Sequence, residues 1–349
     1  MAVSAGHPDG EETAMKKRPK TVKAMFSSAE DGDEFTAMVK TTVADWALQK
    51  HPKTSPEEIA MLNVIPPGPC PRCGSPDTIR WGKSREGIAR YRCGSCGRTF
   101  GPLTGTLFDS HRIPASEWVE YLVNVAEYES VRQSGLTNMN AVSTGRYWSI
   151  KLFAALEGVQ DGVVLHGDVY GDETYFKETP SGLTMVDGRK LHGISRDCIC
   201  VATAVASDGF VLIRCGNGKP SGRRILEALG GHIAEGSHLI HDGENSHRAL
   251  VGALGLSEEI HPTSETDGLP DSSNPLAKVN TLHRYLKKFM SRHGAFDRDY
   301  IQGWLDLFHE VHSCFGDAHE FVDRVLRRAI SCRKVLRYRK VMSKKRGKI

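Results

Sequence analysis

Four of the nine cysteines stand in two Cys-x2-Cys pairs, and their spacing restricts the fold more than any other feature of the sequence. The pairs are Cys70 with Cys73 and Cys93 with Cys96, separated by 19 residues. Two such pairs allow two short hairpins to present four thiolates tetrahedrally around one zinc ion, in a closed structural site. Disulfide bonds are the alternative, but the odd number of cysteines and the lack of a recognisable export signal disfavour them. We therefore predict a zinc ribbon over residues 66–105 that holds one structural zinc ion.

Positive charge is concentrated in two segments of a chain whose net charge is only +4. The segment from Arg324 to Ile349 contains 12 lysines and arginines and no acidic residue, and the segment from Pro66 to Gly105 has a net charge of +5. Such segments suit a polyanion, and nucleic acid is the commonest one. For the C-terminal segment, a solvated helix face followed by a disordered end is the alternative. We expect double-stranded DNA as the partner.

Hydropathy gives no indication of a membrane partner. No uninterrupted apolar run approaches the roughly 20 residues that a membrane span needs, and the first residues do not resemble a signal peptide. We therefore expect a cytoplasmic protein; a place at the nucleoid of a bacterium is implied only by the family resemblance of the motifs described below.

The pattern of apolar residues divides the chain into five parts. Few apolar residues occur before Phe35, which predicts disorder there, whereas Phe35 to Leu62 has helical spacing. The predicted parts are a disordered arm plus helix (1–65), the zinc ribbon (66–105), a helical segment (106–157), an α/β domain (158–323) and a basic tail (324–349).

The helical segment has the outline of a helix-turn-helix. A short turn separates Val131–Leu136 from Ala141–Trp148, and in such a motif the second helix enters the major groove of DNA. Any two helices joined by a short turn share this spacing, so the pattern also fits an ordinary helix pair.

From Gly162 onward, the apolar pattern changes to the alternation that is typical of strands. Three successive strands, followed by alternating helices and strands, indicate a mixed sheet flanked by helices. The predicted strands are Val163–Phe176, Cys198–Val205, Phe210–Cys215, Ser237–His241 and Glu258–His261, and the predicted helices are Ser221–Leu229, Ser246–Leu254, Leu276–Ser291 and a last helical part from Tyr300 to Arg328.

Three oxygen-bearing residues stand where such a sheet gathers functional groups. Asp172 lies in the first strand, Asp242 at the end of the fourth, and Asn280 at the start of the helix after the last strand. This order matches the metal ligands of a ribonuclease-H-like fold. Phosphodiester cleavage is an in-line displacement, in which two Mg²⁺ or Mn²⁺ ions activate the attacking oxygen and stabilise the leaving one. Hard cations prefer oxygen ligands, so two carboxylates and one amide oxygen are suitable donors.

The helix that contains Asn280 also predicts a phosphate contact. At about 100° per residue, Asn280, Arg284 and Lys287 share one stripe. The opposite stripe is apolar, so one face can pack while Lys287 holds a DNA phosphate as a point charge. An ordinary amphipathic surface helix is the alternative interpretation.

Other groups compete for these roles. Asp168 would share a face of the first strand with Asp172, whereas Glu173 would point to the other face. Glu244 and Glu265 could each replace the third ligand, but a helix fixes ligand geometry better than a loop, which favours Asn280. His241 could orient a metal ligand or simply pack in its strand.

Three motifs behind the ribbon carry a resemblance to a known family. They are Asp-Glu-Thr-Tyr-Phe at 172–176, His-Asp-Gly-Glu-Asn-Ser at 241–246 and Val-Asn-Thr-Leu-His-Arg-Tyr-Leu-Lys-Lys at 279–288. Together they resemble the insertion-sequence transposases of the ISXO type, over roughly Pro66 to Phe315. The chain departs from the family at Lys177 and Glu178, where glycines are usual, and in its long lead-in before the ribbon.

The resemblance implies a ribonuclease-H-like catalytic domain of the D-D-E/N-K kind. By position, Asp172 and Asp242 would be the catalytic aspartates, Asn280 the third metal ligand and Lys287 the following basic residue. It also implies cutting and rejoining of DNA at terminal inverted repeats, by a homodimer or larger synaptic complex, with water and then a 3′-hydroxyl as nucleophiles. A zinc-ribbon regulator that binds DNA without cutting it, or an inactive descendant, is the alternative.

Overall fold

The computed structural model describes residues 38, 54–109, 114, 116–177, 185–186, 189–190, 194, 198–293, 298–314 and 318–343. The predicted disordered segment and most of the helix predicted from Phe35 to Leu62 lie outside the described residues. The described part of that helix is α1 (Pro56–Val64). It begins after Ser55, whose hydroxyl accepts a hydrogen bond from the Glu58 N–H at 3.2 Å and so satisfies a donor that has no partner within the helix.

Three antiparallel strands form the sheet of the ribbon: β1 (Thr78–Lys83), β2 (Ala89–Cys93) and β3 (Thr99–Phe100). Residues along β2 are alternately buried and exposed, because successive side chains of a strand point to opposite faces. The Asn63 side chain ties α1 to this sheet, since it bonds the backbone of Ala89 at 2.6 Å and of Gly87 at 3.1 Å.

The helical segment contains α2 (Ser116–Ala126), α3 (Val131–Thr137) and α4 (Val142–Leu156). Helices α3 and α4 cross at two glycines: a Cβ atom on Gly145 would lie only 2.7 Å from the carbonyl oxygen of Val131, so only glycine permits this approach. Most of α4 is buried after its first turn, and Arg146 is exposed near its start. A helix-turn-helix therefore stays a prediction. In such a motif, only the exposed first turn of α4 could contact DNA.

A five-stranded mixed sheet forms the centre of the molecule. Its strands are β4 (Asp168–Lys177), β7 (Cys198–Val205), β8 (Phe210–Asn217), β9 (His238–His241) and β10 (Ser257–Ile260), and a separate hairpin consists of β5 (Met185–Val186) and β6 (Arg189–Lys190). The order across the sheet is β10-β9-β4-β7-β8. Strands β4, β7 and β8 form an antiparallel meander, while β9 runs parallel to both β4 and β10. This is a ribonuclease-H-like sheet, and it confirms the predicted fold class.

Helices cover both faces of the sheet. The described helices after β8 are α5 (Gly222–Leu229), α6 (Arg248–Leu254), α7 (Thr263–Thr266), α8 (Ala277–Arg292), α9 (Ile301–Ser313), α10 (Ala318–Ser331) and α11 (Tyr338–Ser343), with 3₁₀ turns at Asn245–His247 and Arg298–Tyr300. Helices α5 and α6 pack on one face, around Val169 and Ala202. Helices α8 and α9 pack on the other, around Val201 and Leu212.

The predicted boundary between residues 157 and 158 does not separate two cores. Trp118 of α2 and Leu152 of α4 belong to the same buried cluster as Val201 of the sheet and Phe289 of α8. The helical segment is therefore a layer of the same folded unit.

The described part of the basic tail packs against the rest of the molecule. It begins inside α10, where Phe321, Val325 and Ala329 are buried. Further on, the Tyr147 hydroxyl of α4 donates a hydrogen bond to the Leu336 carbonyl oxygen. Residues 344–349 lie outside the described residues.

Among the residues that the structure describes, no helix combines the length and the apolar character required to cross a membrane.

Candidate active site and zinc site

The four ribbon cysteines form one cluster. The Sγ atoms of Cys70 and Cys96 are 3.7 Å apart, those of Cys73 and Cys93 are 3.6 Å apart, and all four lie within 4.8 Å of one another. A tetrahedral site with Zn–S bonds of about 2.3 Å requires Sγ atoms separated by about 3.8 Å. The cluster therefore has the donor set and spacing for a zinc ion.

Two similar turns shape this cluster. The Gly74 N–H donates to the Cys70 carbonyl oxygen at 2.8 Å, and the Gly97 N–H donates to the Cys93 carbonyl oxygen at 2.9 Å. Both glycines have positive φ angles, +73° and +70°, which other residues adopt only at a cost. The backbone N–H groups of Cys73 and Arg72 lower the pKa of Cys70 to about 6, which favours the thiolate that zinc requires.

Asp172 and Asp242 lie side by side on adjacent parallel strands. Tyr170 pairs with Ile240, so Asp172, two residues further along β4, is level with Asp242, the residue that follows β9. The two carboxylates are close enough that the charge of Asp242 affects Asp172. Burial, together with the negative charges of Glu173 and Asp242, raises the pKa of Asp172 to about 7, against the lowering effect of the Glu173 N–H bond. Carboxylates that repel each other in this way favour a bound cation.

Helix α8 passes over Asp172 and carries Asn280 and Lys287. One of its contacts with the sheet is His283, whose Nδ1 atom lies 3.5 Å from Oδ2 of Asp172 and whose Nε2 atom lies 2.9 Å from the Thr203 hydroxyl. Burial, and to a lesser degree Lys287, lowers the pKa of His283 to about 3, so this ring is neutral. The helix is thus fixed against the strand that contains Asp172.

Asn280 and Lys287 stand one turn before and one turn after His283. Both are exposed, and Leu282, Leu286 and Phe289 on the same helix are buried, so α8 has the two faces that the sequence predicts. In a helix, residues three and four apart are neighbours, which puts Asn280 and Lys287 on either side of the contact with Asp172. Sequence reasoning missed His283 itself, although it lies between two predicted site residues.

A second group missed by sequence reasoning lies on the opposite face of β4. Glu173 is almost fully buried there and contacts His247 Nε2 at 3.2 Å. The Gly243 N–H donates to His241 Nδ1 at 3.1 Å, so the 3.0 Å contact between His241 Nδ1 and His247 Nδ1 requires the proton to be on His247. Burial lowers the pKa of His247, but its bond and ion pair with Glu173 outweigh burial, and the net pKa is raised. The contact between Glu173 and His247 connects the loop after β9 to β4.

The nitrogen atoms of His241 and His247, together with an Asp242 oxygen, also lie within 4.8 Å of one another, a grouping that could hold a metal ion. The Nδ1 atoms of both rings are already engaged in the contacts just described. His241 thus packs in its strand and also supports the loop that carries Asp242.

Of the competing carboxylates, Asp168 is exposed at the start of β4, Glu244 pairs with Lys219 at 3.2 Å, and Glu265 is exposed on α7, a short helix inside the predicted loop from Thr263 to Pro275.

No protein-family model and no curated protein matches this chain. Solved structures of the Mos1 mariner transposase align with part of it. Its catalytic domain is 16% identical over 55% of this chain and 96% of that chain, with a TM-score of 0.21. The same domain with raltegravir and Mg is 16% identical over 55% and 96%, with a TM-score of 0.23. A pre-cleavage Mos1 transpososome is 11% identical over 63% and 79%, with a TM-score of 0.20. Alignments this weak carry no argument, and the fold assignment above rests on the strand order.

Proposed function

We propose that this chain is the DNA transposase of an insertion sequence of the ISXO type. The observation that carries the proposal is the level placement of Asp172 and Asp242 on adjacent parallel strands of a ribonuclease-H-like sheet. The position of Asn280 and Lys287 on the helix that contacts Asp172 supports it. The reaction would be hydrolysis of a phosphodiester bond at a terminal inverted repeat, followed by transfer of the new 3′-hydroxyl to target DNA.

The residues of this chain have distinct roles in that reaction. Asp172 and Asp242 would hold two Mg²⁺ or Mn²⁺ ions, with Asn280 as an uncharged third oxygen donor. When bound, the ions supply Lewis-acid stabilisation of the attacking and leaving oxygens. Lys287 would hold a DNA phosphate, and His283 would keep α8 in register with Asp172 through its bond to Thr203.

Further parts of the chain would bind DNA and assemble the complex. The ribbon, with one structural zinc ion, and the basic tail supply positive charge for double-stranded DNA. Joining two element ends requires two active sites in one assembly, so a homodimer or larger synaptic complex is part of the proposal.

A nicking assay on a DNA duplex with the element's terminal repeat tests the catalytic assignment. Asp172→Asn and Asp242→Asn should each lower the metal-dependent cleavage rate by about 100-fold or more, because each removes a charged metal ligand. Asp168→Asn is the matched control: it makes the same chemical change on the same face of β4, four residues away, and should leave the rate unchanged.

Cleavage that survives both Asp172→Asn and Asp242→Asn would contradict the assignment. Specific duplex binding by the wild-type chain without any cleavage in Mg²⁺ or Mn²⁺ would instead identify a regulator or an inactive descendant.

A further inference from the structure

One face of the ribbon sheet is exposed and combines arginines with a tryptophan. Strand pairing puts Ile79 and Thr99 opposite Arg92 on this face. Arg90, which bonds the Thr99 hydroxyl at 3.2 Å, also lies on it. We call these four residues, together with Trp81, the arginine–tryptophan face. The other face of the sheet contains the buried Tyr91 and Phe100.

Trp81 is exposed in a way that the other described tryptophans are not. It is 47% exposed, whereas Trp118, Trp148 and Trp304 are at most 5% exposed. Ile79, on the same face, is 51% exposed. Exposed apolar side chains that lie together, unlike single ones, indicate a surface that contacts a partner.

A β-bulge begins at Trp81, which shares a face with Ile79 because side chains two residues apart in a strand point the same way. Arg80 pairs with Tyr91 but Lys83 pairs with Ala89, so two residues of β1 oppose Arg90 alone. The second of the two is Gly82, whose φ angle of +70° lets the strand accommodate the extra residue.

Arg92 already covers one face of the indole. Its guanidinium carbon lies over the Trp81 ring, 4.6 Å from the ring centre, in a cation–π contact that leaves the opposite π-face for a partner. The surface therefore combines an aromatic ring with positive charge, on a segment with a net charge of +5. A partner with π-faces and negative charge fits both properties, and nucleic acid has both.

An exposed aromatic ring such as that of Trp81 is better suited to some forms of DNA than to others. In a B-form duplex the faces of the bases are stacked on one another, and an aromatic side chain reaches them only where bases are unpaired or unstacked. Stacking on an aromatic side chain is tolerant of base identity, because every base has a π-face. An exposed indole between arginines thus suits a single-stranded or frayed segment better than intact duplex.

We propose that the arginine–tryptophan face binds unpaired nucleotides of DNA, with Trp81 stacked on a base and Arg90 and Arg92 contacting the adjoining phosphates. The inference rests on the proposed function only in taking DNA as the partner. It adds a second kind of DNA site, away from the carboxylates of the sheet.

Binding of the full chain to two fluorescent DNAs tests this, without added magnesium: a blunt duplex, and the same duplex with a single-stranded extension. The wild-type protein should bind the extended duplex more tightly. Trp81→Ala should weaken binding to the extended duplex by about 5- to 100-fold and leave blunt-duplex affinity unchanged, whereas Trp81→Phe should retain most of the difference. Arg92→Ala should reduce the salt dependence of extended-duplex binding by about one unit of slope.

Arg80→Ala is the matched control for Arg92→Ala, because it removes the same charge from the ribbon sheet but from the paired strand β1 and on the opposite face. It should leave the preference for the extended duplex intact, and one zinc ion per chain in every variant shows that the ribbon is folded. The inference would be overturned if Trp81→Ala weakened binding to both DNAs equally or changed binding to neither. It would also be overturned if Arg80→Ala lost the preference for the extended duplex. A change in oligomeric state with unchanged DNA affinity would do the same, and would assign the face to a second copy of the chain.

Failure of the inference and failure of the proposed function are separable. A protein that prefers the extended duplex through Trp81 but never cuts DNA supports the inference and contradicts the catalytic proposal. A protein that cuts DNA, and whose Trp81→Ala variant binds both DNAs as tightly as the wild type does, supports the catalytic proposal and contradicts the inference.

Discussion

Asn280 would supply an uncharged oxygen where a third carboxylate would add a negative charge. Asn280→Asp keeps the shape of the side chain and adds that charge. We expect it to lower the Mg²⁺ concentration for half-maximal cleavage by about three- to tenfold, because ligand charge raises the affinity for a hard cation. Asn280→Ala should raise that concentration. Cleavage rates measured across a Mg²⁺ titration check both.

Glu265→Ala is the control for this prediction, since Glu265 is the loop carboxylate that competes for the same role. The assignment would be wrong if both Asn280 variants needed the same Mg²⁺ concentration as the wild type while Glu265→Ala needed a higher one. Glu265 would then be the third metal ligand.

At the residue scale, the sequence was informative about groups with a strong local pattern and uninformative about contacts across the fold. The spacing of the cysteines predicts their cluster, and the alternation along β4 predicts that Asp172 and Glu173 face opposite sides. His247 and His283 have no such pattern. Their partners, Glu173 for one and Asp172 with Thr203 for the other, are distant in the chain, so only the packing of helices on the sheet reveals them.

Helices α9 and α10 are joined by a buried ion pair. Glu310 is completely buried, and its Oε1 atom lies 2.9 Å from Arg324 Nε. Arg324→Ala would leave the carboxylate uncompensated in the interior. We expect the free energy of unfolding to fall by about 2 to 4 kcal/mol. This is less than the largest losses seen when a fully buried ion pair is broken, because Arg324 is partly exposed. Denaturant unfolding of the full chain measures it.

Arg327→Ala is the control on the same helix. Arg327 forms an exposed pair with Asp323 at 2.7 Å, and solvent screens such a pair, so Arg327→Ala should lower the free energy of unfolding much less than Arg324→Ala. Equal losses in the two variants would show that burial of Glu310 is not the cause.

At the element scale, strong periodicity predicts most of the sheet. Strand β7 has the predicted bounds, because Cys198–Val205 is an uninterrupted run of small and β-branched residues between polar ones. The last helical part from Tyr300 to Arg328 is instead two helices, α9 and α10. Helix α10 contains many charged residues, and counting them predicts a solvated segment. Phe321, Val325 and Ala329 nevertheless recur at helical spacing and form one apolar, buried stripe.

In the folded molecule, the helical segment and the α/β segment, which the sequence pattern divides near residue 157, share one buried cluster. Local patterns show where one kind of periodicity gives way to another, near residue 157, but they do not show whether the apolar faces on the two sides pack together. In the structure, α2 and α4 bury Trp118 and Leu152 against the central sheet and its helices. A folded unit that includes the ribbon-proximal helices would hold bound DNA rigidly relative to Asp172 and Asp242.

We expect the basic tail to contribute at this scale to DNA affinity, and the packing of its described part determines how this can be tested. Residues 332–343 contact α4, where Tyr147 lies 5.3 Å from the Tyr338 ring, so a deletion from Arg333 would remove packing together with charge. Deletion of residues 344–349 removes four positive charges and leaves those contacts in place. The slope of log affinity against log salt for duplex DNA should fall by up to about four units, since each phosphate contact contributes roughly 0.9. An unchanged slope would show that these charges do not contact DNA, whereas a lower unfolding temperature would show that the deletion disturbs the fold.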